Sequence, residues 1–236
     1  MIENFDQQIA GIASLNDPIR RSLYRLVVDS AEPVGREQAA AAVGVQKTLA
    51  AFHLDRLVDA GLLTTEFRRL TGRTGPGAGR PAKLYRRSDQ QIEISLPARE
   101  YDLAGRLLAE AIALAETSGR GVRAELQKVS SAFGRVLGEE AVARAGKRPS
   151  KAKQREALLE VLRNHGFEPR SDDGEVVLAN CPFHTLAHQF TEVVCGMNLY
   201  LMTGLRSALD LGESKLEPRL QPEPGQCCVR FCNTAA

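Results

Sequence analysis

All five cysteines of the chain, Cys181, Cys195, Cys227, Cys228 and Cys232, fall in its last quarter, and two histidines, His184 and His188, stand just after the first of them. Thiols gathered in this way are either small buried apolar side chains that happen to cluster or thiolates assembled to hold a metal or an iron-sulfur cluster. Spacing constrains the second case. On a helix running from about Thr185 to Leu209, His188 and Cys195 share a face but lie about 10 Å apart along the axis, too far for one zinc ion. Pro182 after Cys181 favours an irregular turn that leaves its sulfur exposed. On a final strand, alternation puts Cys227, Val229 and Phe231 on one face and Cys228, Arg230 and Cys232 on the other. The first set has the apolar neighbours and faces the core. Cys227 is therefore the first choice to meet Cys195, Cys228 the second, and Cys232, near the end of the chain, is incidental. The expected ligand set is Cys181, Cys195, Cys227 and Cys228, with His184 or His188 as an alternative fourth ligand.

Bulk composition sets the context for this chemistry. The 236 residues are 43% hydrophobic and 25% charged, without Trp. The start, MIENFDQQIAG, has neither a basic n-region nor an apolar core, and no run approaches the roughly 20 apolar residues of a bilayer span. A cytoplasmic protein without membrane contact is expected, in which disulfides are usually not structural. The net charge of +2 conceals an asymmetry. Between Glu66 and Arg87 stand Arg68, Arg69, Arg73, Arg80, Lys83, Arg86 and Arg87 against a single acid, a local patch suited to a polyanion.

The elements upstream explain that patch. Met1 to Asn16 reads as a short lead-in, after which Asp17-Pro18 caps a helix carrying Ile19, Leu23, Leu26 and Val27. From Ala39 to Leu63 the pattern predicts two helices joined by a tight turn at Val43-Gly44-Val45. Gln46, Lys47 and Thr48 open the second helix and belong to no apolar stripe. Its first turn is free to enter a DNA major groove. Gln46, Lys47, Thr48 and Phe52 would face base edges or a thymine methyl, while His53 and Arg56 would contact phosphate or support the helix. Strands at about Leu62 to Leu70 and Lys83 to Arg87 enclose TGRTGPGAGRPA, a Gly- and Pro-rich hairpin tip. There Arg73 and Arg80 could reach a narrow minor groove, with Lys83 at its base.

HLDRLVDAGLL at His53 to Leu63, followed by GRPAKLY at Gly79 to Tyr85, resembles the winged helix-turn-helix regulators of the ArsR type, over about Asp17 to Arg87. The spaced Cys181, Cys195 and Cys227-Cys228 together with that module are similar to the SufR-like iron-sulfur repressors within this group. The resemblance implies a cluster on C-terminal cysteines that controls binding to operator DNA.

Between the two regions, Leu103, Leu107, Leu108, Ala111, Ile112 and Ala115 form one apolar stripe. Val122, Leu126, Val129, Phe133, Val136 and Leu137 continue it after a break at Ser118-Gly119. These helices are assigned to dimerisation, since such readers usually bind two half-sites; the competing assignment is that they only pack on the C-terminal domain. A linker at Ala145 to Ser150, a helix from Lys151 to Asn164 and a hairpin around Ser171-Asp172-Asp173-Gly174 complete the chain up to Cys181.

The expected fold is α+β: a winged helix-turn-helix over 1–92, a helical dimerisation region over 93–146 and a cysteine-bearing α+β sensor domain over 147–236. The expected function is a homodimeric DNA-binding transcription regulator of a palindromic operator. It would sense redox state, iron-sulfur status or a metal, with zinc as the alternative to a cluster. A second expectation replaces the metal by an apolar ligand in a pocket lined by Phe190, Val194, Leu199 and Met202. A thiol enzyme built on Cys181 with His184 or His188 is disfavoured, because no orienting Asn or Asp and no nucleotide loop is evident.

Overall fold

The computed structural model describes residues 2–69, 81–211 and 216–233. They mix helix and sheet and form two compact units, Met1–Ile94 and Ser95–Ala236. No helix among the described residues is long and apolar enough to cross a membrane.

In the first unit the lead-in expected before Asp17 is a helix, α1 (Ile2–Ser14). The chain then caps α2 (Pro18–Asp29) with the Asp17 carboxylate, which accepts from the Arg20 N–H at 2.9 Å. A two-residue strand β1 (Val34–Gly35) leads into α3 (Arg36–Val43). That helix stops at Gly44, whose φ of 73° a side chain would strain. After α4 (Lys47–Asp59) the chain turns through Gly61 into β2 (Leu63–Arg68), which pairs antiparallel with β3 (Ala82–Arg87). β1 pairs with the other edge of β3, giving the order β1-β3-β2. Leu23, Val27, Val34, Ala39, Leu54, Leu57, Leu63 and Tyr85 form the core beneath, so the inward stripe of α4 is anchored on both α2 and the sheet.

The second unit opens with α5 (Tyr101–Ser118) and α6 (Val122–Ala145), separated by a left-handed Gly119 at the expected break. α7 (Lys151–Asn164), β4 (Pro169–Asp172) and β5 (Glu175–Leu178) follow. The helix expected from Thr185 to Leu209 is two helices, α8 (His184–Gln189) and α9 (Thr191–Ser207). Phe190, at φ −131° and ψ 52°, breaks the ladder between them, so His188 and Cys195 do not share one helix. β6 (Leu216–Leu220), which the hydrophobic pattern did not disclose, pairs with β7 (Val229–Asn233) in an antiparallel sheet of order β4-β5-β7-β6. Cys227 and Cys228 precede β7 instead of lying in it, and Cys232 is paired within the strand and buried.

One core joins α5, α6, α7, α9 and the sheet, and the linker expected at Ala145 to Ser150 lies inside this unit. The apolar stripes of α5 and α6 are largely consumed there: Leu103, Leu107, Ala111, Leu126, Val129 and Leu137 are buried, while Ile112 and Val136 remain 49% exposed. α6 and α9 meet backbone to backbone. A Cβ added at Gly134 would strike the Leu201 carbonyl oxygen, one at Gly138 would come within 2.5 Å of the Leu205 carbonyl oxygen, and one at Gly204 would strike the Ser131 carbonyl oxygen.

Candidate functional site

The first unit offers a polar helix edge. Gln46 is the N-cap of α4 without a side-chain capping bond, and Gln46, Lys47 and Thr48 are all exposed. Thr48, Phe52 and Arg56 follow at four-residue intervals and make one outward row. Phe52 is 54% exposed, and the Arg56 guanidinium lies 5.5 Å from the centre of its ring. Lys47 is ion-paired with Glu37 across the turn, and its hydrogen bond holds the Glu37 carboxyl below the ordinary value.

Two further residues expected at this edge are engaged within the unit. His53 is only 7% exposed, because it sits on the inward side of α4 beside the buried Leu54 and Leu57. Lys83 donates to Asp55 Oδ1 at 2.6 Å, and the Tyr85 hydroxyl donates to the same oxygen at 2.8 Å. Lys83 therefore ties β3 to α4. Burial opposes ionisation of Asp55, but the two hydrogen bonds outweigh it and hold the carboxyl below its ordinary value. Burial first, and then the bond to Asp55, push the Tyr85 hydroxyl up. Such a lowered carboxyl stabilises the fold at pH values above its unfolded range, and the benefit is lost as the pH falls through the folded value. Asp55→Ala is expected to cost about 1 kcal/mol at neutral pH in urea unfolding, a difference that shrinks on acidification.

Arg73 and Arg80 lie outside the described residues. Of the hairpin bases that are described, Arg68 pairs with Glu32 and Glu66, and Arg86 pairs with Glu66. Arg69 and Arg87 are exposed and have no ion pair among the described residues.

In the second unit, the four cysteines expected to act together do converge. Cys195 on α9 and Cys228 form a disulfide with Cα atoms 6.4 Å apart. Cys181 and Cys227 are free, buried and hydrogen-bonded to each other. The pairing differs from the expected meeting of Cys195 with Cys227. Cys227 turns inward, its N–H on the Leu178 carbonyl at 2.9 Å, which leaves its neighbour Cys228 toward α9. The bond from Cys227, helped by the Phe183 N–H and the Arg99 charge, holds the Cys181 thiol below its ordinary value despite burial. The same bond, together with burial, pushes Cys227 up.

Asn198 Nδ2 also donates to Cys227 Sγ at 3.2 Å. Sequence reasoning missed Asn198, although its place three residues after Cys195 put both on one side of the helix. It also missed Arg99, which donates through Nη1 to Asn180 Oδ1 at 2.7 Å and to the Cys181 carbonyl at 3.4 Å. Nothing in the sequence around Arg99 points to residues some eighty positions away.

A cavity of about 340 Å³ opens beside these sulfurs, lined among others by Arg99, Asn180, Cys181, His184, His188, Cys195 and Cys228. The rings of His184 and His188 stand 4.5 Å apart, and both residues are exposed. Cys195 and Cys228 are bonded to each other, and no group of three or more His, Cys, Asp or Glu that could hold a metal ion is found among the described residues. The four sulfurs stand as one disulfide and one pair of free thiols, joined by the adjacency of Cys227 and Cys228. Of the residues expected to line an apolar pocket, Leu199 is partly buried against the core. Val194 and Met202 are buried in the core, and Phe190 is 57% exposed.

Fold and sites together define a mixed helix and sheet protein in which one unit exposes a polar helix edge beside an arginine-bearing hairpin and the other gathers thiols around a cavity. No known protein family matches this chain, and comparison with curated proteins and with solved structures finds no similar protein.

Proposed function

We propose that the chain is a DNA-binding transcription regulator rather than an enzyme, its first unit a winged helix-turn-helix and its second a thiol-based sensor. The observation that carries the reading is α4: Gln46, Lys47 and Thr48 open it in solvent, and its outward row of Thr48, Phe52 and Arg56 is exposed or polar while the opposite face is locked to α2 and the sheet. A helix held on one face, with its first turn exposed, can put side chains against base edges, and the hairpin β2–β3 supplies phosphate contacts. A second copy would double the contact on a palindromic operator.

Cys181, Cys195, Cys227 and Cys228 are the residues that would hold an iron-sulfur cluster, or zinc, when all four are reduced. Such a group would supply redox or metal responsiveness when bound. Oxidation to the Cys195–Cys228 disulfide withdraws two of the four sulfurs, so ligation and disulfide exclude each other. That exclusivity supports a switch.

The reading is tested by selecting bound duplexes from a random DNA pool with the full chain and titrating the enriched site. Lys47→Ala is expected to weaken the selected site by about tenfold or more while changing binding to unrelated DNA far less. Equal affinity of the variant and the wild type for that site, or no enrichment at all, would count against it.

A further inference from the structure

The cavity beside the thiols has features that its lining cysteines alone do not explain. It admits both ends of the Cys195–Cys228 disulfide, and Cys228 is the more exposed of the two. Its wall also carries Arg99, whose hydrogen bonds to Ala98, Asn180 and Cys181 all use Nη1. Nε and Nη2 of that guanidinium have no hydrogen bond or ion pair among the described residues. The cavity's carboxylate, Glu223, is committed elsewhere, accepting from Arg230 at 2.9 Å. At about 340 Å³ the space suits a small molecule, not a peptide or a nucleotide chain. An open cationic fork and an accessible disulfide in one cavity call for a ligand with an anionic group at one end and a sulfur at the other.

We propose that this cavity binds a low-molecular-weight thiol bearing a carboxylate, which is held by Arg99 and exchanges with the Cys195–Cys228 disulfide. The incoming thiol loses its proton to solvent, and its thiolate attacks Cys228 Sγ. A bond forms between the ligand sulfur and Cys228, the Cys195–Cys228 bond breaks, and Cys195 leaves as a thiolate that takes up a proton. A second molecule of the same thiol attacks the ligand sulfur, releasing Cys228 as a thiol and the ligand as its own disulfide. Two electrons pass from two thiols to the protein disulfide. The anionic group confers selection: attack is faster for a thiol whose carboxylate Arg99 can hold than for one of equal length without it. The proposal rests on the sensor half of the preceding reading and is independent of DNA binding.

The test uses the oxidised full-length chain, treated separately with 3-mercaptopropionate, 2-mercaptoethanol and cysteamine. Each rate of disulfide opening is divided by the same thiol's rate against a small linear disulfide, which removes intrinsic reactivity. Intact-mass and peptide mapping locate the mixed disulfide. The expected result is an adduct on Cys228 and a corrected rate about tenfold higher for the carboxylate thiol than for the other two. That preference should fall to near unity in Arg99→Gln, be partly kept in Arg99→Lys, and decline in the wild type as salt is added. No preference in the wild type, an unchanged preference in a folded Arg99→Gln, or absence of a Cys195–Cys228 bond from the oxidised protein overturns the proposal. Because the readout contains no DNA, a failed operator titration and a failed exchange assay are separate results. If Arg99→Gln does not fold, the salt dependence and Arg99→Lys decide the question.

Discussion

Gly204→Ala is expected to destabilise the Ser95–Ala236 unit by about 3 kcal/mol or more, the upper end of what overpacking costs. The new methyl would strike the Ser131 carbonyl oxygen and come within 2.8 Å of its carbon and 3.0 Å of the Arg135 nitrogen. These are main-chain atoms of α6. A side chain in the way could rotate; here the two helices must separate, which opens the packing of Leu201 and Leu205 against the core. Gly196 on the same helix has nothing within 4 Å of its added Cβ. Gly196→Ala is accordingly expected to be neutral or to stabilise by up to about 1 kcal/mol through helix propensity alone. Urea unfolding of both variants separates packing from propensity, and equal midpoints for the two would refute the close-contact explanation.

Reducing the Cys195–Cys228 bond is expected to cost about 3–4 kcal/mol. The bond closes a loop across a sequence separation of 33, and the chain-entropy account of cross-links gives that magnitude for such a loop. Cys228→Ala should unfold at the urea concentration of the reduced wild type and should not respond further to reductant. Cys228 is the better position to change, since it is partly exposed, whereas an alanine in place of the buried Cys195 would add a cavity cost. Coincident unfolding curves for oxidised and reduced wild type would show that the cross-link contributes nothing to stability. Because Cys181 and Cys227 are free and buried, any loss on reduction is attributable to the one bond.

Much of the first unit was legible because its signals are local. Asp17-Pro18 is a cap and an initiator in adjacent positions, Gly44 marks a stop, and the stripe of α4 repeats within one helix; each rests on residues a few positions apart. The two readings of His53, phosphate contact or support of the helix, have the same origin, and its burial agrees with the second. Counting along α4 puts it next to the outward Phe52, and only the inward neighbours Leu54 and Leu57 reveal that the histidine turns with them. The ion pair of Lys83 was not legible for a different reason: its partner, Asp55, is 28 positions away and becomes adjacent only when β3 folds against α4. The break at Phe190 left no mark in composition, since no glycine or proline stands there. In the thiol site the four participating residues were readable as a group, but not which sulfur meets which. That depends on where the strand begins: Cys227 and Cys228 precede β7, so strand alternation does not decide where their sulfurs point. Arg99 and Asn180 were illegible because the bond between them spans 81 positions.

The glycine seam between α6 and α9 also bears on how force would travel. Ordinary helix pairs touch through side chains, a compliant layer that absorbs small displacements by changing rotamer. Where carbonyl and Cα abut directly there is no such cushion. α9 bears Cys195 near its first turns and Gly204 near its last, so a push or pull at the sulfur is delivered down a stiff rod to a joint without slack, and α6 must move with it.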